Sequence, residues 1–102
     1  MFELLAENFD EFKEKEYALI DFWQATCPEC LALKPQLEEL ESDFPAVSFY
    51  AIDCQKVRKL AISLKVFGLP SVLIFSRGTL LYRFQKEDCT IDNIRHALNE
   101  KN

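Results

Sequence analysis

Residues 23–30 read Trp-Gln-Ala-Thr-Cys-Pro-Glu-Cys and join an apolar run, residues 17–23, to an amphipathic segment, residues 31–44. This change of pattern predicts a buried strand that turns into a helix. Proline suits the first helical position, because its missing N–H would have no partner there. In a helix that begins at Pro28, Cys27 is the N-cap and Cys30 lies one turn further on the same face, within reach of a disulfide. Cys27 is then the exposed sulfur beside the positive helix end and Cys30 the covered one, which suits an attacking thiol and a resolving thiol.

The composition predicts one globular domain, residues 1–102. Half of the residues (49%) are apolar and nine are Phe, whereas only two Gly and four Pro interrupt the chain. The net charge of −5 argues against a nucleic-acid partner or an anionic membrane, because phosphate contacts need clustered Lys and Arg. The apolar runs are also too short to span a bilayer, so we expect no membrane partner.

The first seven residues lack the basic region and the long apolar stretch of a secretory signal. Four cysteines in this setting do not form the disulfide framework of a small secreted protein. We therefore expect a cytoplasmic protein, in a reducing compartment, with one working cysteine pair. We also expect it to act as a monomer.

The periodicities along the chain predict the order β-α-β-α-β-α-β-β-α, an α/β fold with helices on both faces of a mixed central sheet. The predicted elements are strand 2–5, helix 9–15 behind a capping box of Asn8 and Glu11, strand 17–23, a helix after the cysteines that bends at Pro35, strand 47–52, helix 55–65, strand 71–75, strand 79–84 and a last helix capped by Thr90. The short Arg77-Gly78 link between the last two strands implies an antiparallel hairpin.

A series of motifs resembles those of the thioredoxin family over nearly the whole chain. They are Asp21-Phe22-Trp23, Cys27-x-x-Cys30, Pro35, Asp53, Gly68-Leu69-Pro70 and Gly78. The resemblance implies the thioredoxin fold, with Pro70 in the cis form against the cysteines and Leu69 offering backbone groups to an extended substrate segment. A cis bond is costly except before proline, so this assignment is physically permissible.

The chain departs from the usual thioredoxin pattern close to the cysteines. Thr26 stands in place of the usual Trp, Pro28-Glu29 in place of Gly-Pro, and Leu31 in place of a Lys. Phe49 replaces a Lys that accompanies the buried Asp in many members, and the usual glycine near Phe84 is missing. These differences predict an altered surface around the site and therefore a different choice of partners.

The cysteine pair predicts reversible thiol–disulfide exchange. The Cys27 thiolate attacks a substrate disulfide, and Cys30 resolves the mixed disulfide. The alternative is a structural disulfide, but closing so short a loop stabilises the folded state by only about 2 kcal/mol. A structural zinc site needs four ligands, and only Cys54, Cys89 and His96 remain, without a second paired spacing. We expect no metal and no organic cofactor, since the electrons reside in the two sulfurs.

Asp21 lies inside an apolar strand, where poor solvation raises the pKa of a carboxyl group and lets it carry protons near neutral pH. The resemblance implies that it is the base that deprotonates Cys30, through water. The alternative is an Asp at a sheet end that finds water or a hydrogen bond. The negative charge of Glu29 opposes the stabilisation of a Cys27 thiolate by the helix N-terminus, and no Lys or Arg adjoins the motif, which favours a reductant over a strong oxidant. The alternative is that Glu29 is a solvated first-turn carboxylate that favours the helix dipole.

Together these features predict a thioredoxin-like protein-disulfide reductase that acts in electron transport and cell redox homeostasis. Its expected partners are disulfide-containing proteins and a thioredoxin-reductase-like electron donor. The expected substrate contacts are Leu69, Pro70, Pro28, Glu29, Trp23 and Thr26. Two alternatives remain: a glutaredoxin-like enzyme that draws on glutathione, because glutaredoxins also carry proline after the first cysteine, and a binding module with little turnover.

Overall fold

The structure is a computed structural model that describes residues 1–101, so Asn102, the last residue of the predicted domain, lies outside the described residues. The elements follow the predicted order. They are β1 (Phe2–Glu3), a 3₁₀ helix (Ala6–Glu14), β2 (Ala18–Trp23), α1 (Pro28–Asp43), β3 (Ser48–Asp53), α2 (Arg58–Ser63), β4 (Ser71–Ser76), β5 (Thr79–Gln85), a 3₁₀ turn (Lys86–Asp88) and α3 (Ile91–Glu100). Among residues 1–101, no helix is both long and apolar enough to cross a membrane.

The sheet has the strand order β1-β3-β2-β4-β5 and is mixed, as predicted. β1 and β2 run parallel to β3, whereas β4 is antiparallel to both β2 and β5. The hairpin between β4 and β5 turns at Arg77 and Gly78, whose φ angles of 47° and 83° suit a tight hairpin turn. β2 is therefore the central strand, and the residues that follow it emerge at the middle of one sheet end.

Helices cover both faces of the sheet, and the sheet separates the hydrophobic core into two layers. On one face α1 and α3 pack against Leu19 and Phe49. On the other, the first 3₁₀ helix and α2 pack against Ile20 and Phe22. Because side chains alternate along a strand, Asp21 shares the face of Leu19 and lies beneath α1.

The predicted capping box of Asn8 and Glu11 is wrong, although the chain kinks at Asn8 (φ −126°, ψ 16°) and a helical segment does start after it, as predicted. Leu5 is the N-cap, and its N–H donates a hydrogen bond of 2.7 Å to Asn8 Oδ1. Asn8 is therefore the third residue of the helix rather than its cap. Glu11 does not cap either, since its carboxylate accepts a hydrogen bond of 3.2 Å from the Tyr50 hydroxyl.

The second α-helix is shorter than predicted. The carboxylate of Asp53 accepts a hydrogen bond from the Gln55 N–H and holds a turn there, so the helix starts only after Val57. Lys65 takes a φ of 60°, which a helix cannot continue through. By contrast, α1 runs on through Pro35, and the bend expected there stays a prediction.

Candidate active site

The cysteine pair lies at the N-terminus of α1, with Cys27 as the N-cap and Pro28 as the first helical residue. The Cys30 N–H donates a hydrogen bond of 3.1 Å to Cys27 Sγ. The two residues are joined by a disulfide, and their Cα atoms are 5.2 Å apart. Cys27 is 9% exposed and Cys30 only 1%, so a sulfur from outside meets Cys27 first. The predicted cap is confirmed. Cys27 is the less covered of the two cysteines, as predicted, but both are buried rather than one exposed and one covered.

Asp21 lies in β2 and is fully buried on the face that α1 covers. Neither of its carboxylate oxygens has a hydrogen-bond partner within residues 1–101. Burial raises its pKa from 3.8 to about 7, and the ammonium group of Lys34 opposes that rise. This carboxyl group can therefore gain and lose a proton near neutral pH, as its place in an apolar strand predicts.

A groove of 580 Å³ runs beside the first turns of α1. Its walls carry Glu29 from α1, Leu69 and the buried Pro70, and two charged residues of the second 3₁₀ turn, Lys86 and Glu87. The peptide bond between Leu69 and Pro70 is cis, as the resemblance implies. The structure thus brings three of the predicted substrate contacts, Glu29, Leu69 and Pro70, together at one surface.

Lys86 was not predicted as part of the site. Its N–H donates a hydrogen bond of 2.8 Å to the Pro70 carbonyl oxygen, and its side chain lies against Gly68, where an added Cβ would come within 2.7 Å of Lys86 Cε. No Lys or Arg adjoins the cysteines along the chain, but the fold places this lysine in the same groove as Glu29. The missing glycine near Phe84 is the one feature of the sequence that pointed to this turn.

The other three predicted contacts lie outside that groove. Trp23 lines a separate cavity of 360 Å³, where Lys34 Nζ lies 4.4 Å from the centre of its indole ring. Thr26 is exposed, and its hydroxyl accepts a hydrogen bond of 2.9 Å from the Gln24 amide. Pro28 is exposed at the helix start. Their part in substrate binding stays a prediction.

Cys54 and Cys89 are free thiols in the described chain. Burial raises the pKa of Cys54 to about 11 and that of Cys89 to about 12, with a smaller contribution from the negative charges near them. Both therefore hold their protons at neutral pH. His96 is exposed and pairs with Glu100, as expected of a surface residue. Within residues 1–101, no three His, Cys, Asp or Glu side chains are grouped to hold a metal ion.

Comparison with known proteins agrees with this geometry. Residues 1–100 match the family model Thioredoxin. The chain is 38% identical over 97 residues to a thioredoxin of Acetoanaerobium sticklandii, with 92% of each chain covered. It is 32% identical over 78 residues to a thioredoxin of Chlamydia pneumoniae, with 76% of each covered.

The fold also matches solved structures. The X-ray structure of Fasciola hepatica thioredoxin superimposes with a TM-score of 0.87 over all of both chains, at 20% identity. That likeness shows the fold, while the family model and the sequence relatives show the family. With a disulfide-bonded Cys-x-x-Cys pair at the start of α1, this chain belongs to the thioredoxin family and is a thiol–disulfide oxidoreductase.

Proposed function

We propose that the protein reduces disulfides of other proteins in the cytoplasm, as a monomer that a separate reductase returns to the dithiol form. Cys27 is the nucleophile, Cys30 the resolving thiol and Asp21 the base. The observation that carries this proposal is a disulfide at the N-terminus of α1 in which Cys27 is less covered than Cys30, on the face of the sheet that holds a buried carboxyl group with a pKa of about 7. Neither a metal nor an organic cofactor takes part.

In the first step the Cys27 thiolate attacks one sulfur of a substrate disulfide. A bond forms between Cys27 Sγ and that sulfur, the substrate disulfide breaks, and the departing thiolate takes a proton from solvent. The positive end of α1 and the Cys30 N–H stabilise the attacking thiolate, because Cys27 occupies the N-cap. Cys27 performs this step rather than Cys30, since Cys30 is the more deeply covered of the two.

In the second step Asp21 accepts the proton of the Cys30 thiol, through water. The Cys30 thiolate then attacks Cys27 Sγ, so a bond forms between the two cysteine sulfurs and the mixed disulfide breaks. The second substrate sulfur leaves as a thiolate and takes a proton from solvent, and the substrate is then a dithiol that has gained two electrons. The protein retains the Cys27–Cys30 disulfide, which the reductase reduces again. A carboxyl group whose pKa is about 7 suits this transfer, because it takes up and releases protons near neutral pH.

The substrate segment that carries the disulfide lies in the groove beside α1. Leu69 offers backbone groups to this extended segment, and Pro70 packs against it. Glu29 and Lys86 face the segment from two walls of the groove, so its charge pattern contributes to the choice of partner.

Insulin reduction in the presence of dithiothreitol tests the proposal. We expect turnover by the wild type and none by Cys27→Ser. We expect Cys30→Ser to hold substrate proteins as mixed disulfides that dithiothreitol releases, and Cys27→Ser to hold none. A wild type that binds without turnover would instead be a binding module, and a protein that works only with glutathione would be glutaredoxin-like.

A further inference from the structure

The backbone of Lys86 is fixed at one wall of the groove beside α1. Its N–H donates a hydrogen bond of 2.8 Å to the Pro70 carbonyl oxygen, and its own carbonyl oxygen accepts one of 3.0 Å from the Cys89 N–H. These two bonds set the position of the Lys86 Cα atom relative to Pro70. The lysine side chain therefore starts from a defined point in the wall.

The side chain of Lys86 runs from this turn to Gly68. A Cβ added to Gly68 would lie 2.7 Å from Lys86 Cε and 3.7 Å from Lys86 Nζ, and the three nearest atoms outside residues 67–69 all belong to Lys86. The Ser71 hydroxyl donates a hydrogen bond of 2.6 Å to the Gly68 carbonyl oxygen, which fixes the glycine in turn. The stem of the lysine thus packs on a backbone that carries no side chain, and its ammonium group lies next to Gly68.

The ammonium group of Lys86 is available to an anion from outside. No carboxylate of residues 1–101 forms an ion pair with it, although Glu29 and Glu87 line the same groove. Gly68 directly precedes Leu69, which we propose offers backbone groups to the substrate segment. An extended segment bound to Leu69 therefore passes close to the ammonium group.

We propose that Lys86 is a specificity-determining residue, whose ammonium group selects disulfide-bonded protein segments that carry an acidic side chain where they pass Gly68. The inference rests on the proposed function, because it takes the groove beside α1 as the substrate site. An opposite charge at this place favours binding of the matching segment and disfavours a basic one.

Glu29 limits where the acidic side chain of the segment can stand. It follows Cys27 by two residues and is exposed, so its carboxylate repels an acidic residue next to the substrate cysteine. The preferred segment therefore has its acidic residue at a distance from its cysteine, beside Lys86 rather than beside Glu29.

Extended peptides with one cysteine, joined by a disulfide to 2-thiopyridine, would test this inference. The Cys27 thiolate of the reduced protein attacks the peptide sulfur, a disulfide forms between the two, and the thiopyridine leaves as an anion that takes a proton from solvent. The absorbance of the released thiopyridine gives the second-order rate constant. In an otherwise uncharged peptide, glutamate replaces glutamine at one position after another.

We expect glutamate at a position away from the cysteine to raise the rate constant of the wild type about two- to fivefold. Glutamate next to the cysteine should lower it by a similar factor, because Glu29 repels it. Both effects should fade at high ionic strength, since the charges are exposed.

Substitutions of Lys86 should change the gain from glutamate in a set order. Lys86→Met should abolish it, Lys86→Arg should keep it and Lys86→Glu should turn it into a loss. Lys86→Gly is a second neutral variant, because glycine readily adopts the φ of 55° found here. Gly68→Ala keeps every charge but pushes the end of the lysine side chain aside, so it should reduce the gain as well.

Lys13→Met is the matched control. Lys13 also lies against a glycine, Gly78, but in the hairpin turn at the other end of β4. This variant changes the net charge by the same amount as Lys86→Met and should keep the full gain from glutamate.

The pyridyl disulfide of cysteine alone separates a failure of this inference from a failure of the proposed function. If the neutral peptide reacts faster than this small disulfide, the groove binds the segment and the proposed substrate site stands. The inference on Lys86 is then wrong if no position favours glutamate, or if the gain survives in Lys86→Met and Lys86→Gly. If the peptide reacts no faster and glutamate has no effect anywhere, the proposed substrate site and the inference fail together.

Discussion

The backbone N–H of Lys86 donates a hydrogen bond to the carbonyl oxygen of Pro70, and Lys86 makes this contact with a φ of 55°. A residue other than glycine is strained in this left-handed region by about 1–2 kcal/mol. The chain therefore carries backbone strain in the turn that holds Pro70 at the groove beside α1. It also gains a cation in the substrate groove that glycine would not supply.

Replacing Lys86 with glycine should raise the free energy of unfolding by about 1 kcal/mol, because glycine adopts a positive φ without strain. Urea unfolding followed by circular dichroism would measure the change. Lys59→Gly is the control, since Lys59 lies inside α2 and glycine there should lower the stability by about 1 kcal/mol. A less stable Lys86→Gly protein would mean that the contact of the Lys86 side chain with Gly68 outweighs the strain.

Asp21 makes the stability of the protein depend on pH. Its pKa is about 7 in the folded state against 3.8 for the free group, so between these values the unfolded chain loses a proton that the folded protein keeps. The contribution of this carboxyl group to the free energy of unfolding is therefore largest below about pH 4. It falls as the pH rises to about 7, by about 4 kcal/mol in total.

Asp21→Asn should abolish that loss. The variant should exceed the wild type in free energy of unfolding by several kcal/mol at about pH 8 and differ little at about pH 3.5. Urea titrations of both proteins at the two pH values would show the difference. An equal gap at both values would mean that the carboxyl group is not the cause.

The four cysteines should differ sharply in reactivity once the disulfide is reduced. Burial raises the pKa of Cys54 to about 11 and of Cys89 to about 12, so few thiolates exist at these positions at about pH 8. Iodoacetamide should therefore label Cys27 first, and peptide mass spectrometry would give the order. Early labelling of Cys89 would contradict its burial.

Glu29→Gln should make the reduced protein react about two- to fivefold faster with iodoacetamide at neutral pH, because a like charge near the Cys27 thiolate is removed. Glu39→Gln, at an exposed position further along α1, is the control and should change nothing. An unchanged rate in Glu29→Gln would mean that solvent fully screens the Cys27 thiolate from the Glu29 charge. The carboxylate would then interact only with the helix dipole.

Most features of the fold and of the site that the sequence predicted correctly depend on local patterns of a few residues. The N-cap at Cys27 follows from the proline after it, and the burial of Asp21 follows from its apolar neighbours, so both were visible in a few consecutive residues. The extent of α2 was not, because it depends on a turn made by the Asp53 side chain and on the φ of Lys65.

The two lysines of the site could not be found in the same way. Lys34 and Lys86 are ordinary surface residues by composition, and their place beside Trp23 and Pro70 arises only when α1 and the second 3₁₀ turn dock on the sheet. Sequence separation does not show which of several lysines faces a buried carboxyl group or a substrate groove.

The hydrogen bond from the Cys30 N–H to Cys27 Sγ at the start of α1 has a consequence for the reduction of the Cys27–Cys30 disulfide. A thiolate at Cys27 would accept the same N–H with a full negative charge, and hydrogen bonds to charged acceptors are the stronger ones. The helix end is therefore held at least as firmly in the dithiol state as in the disulfide state. The start of α1 therefore needs no rearrangement when the cysteine pair changes oxidation state.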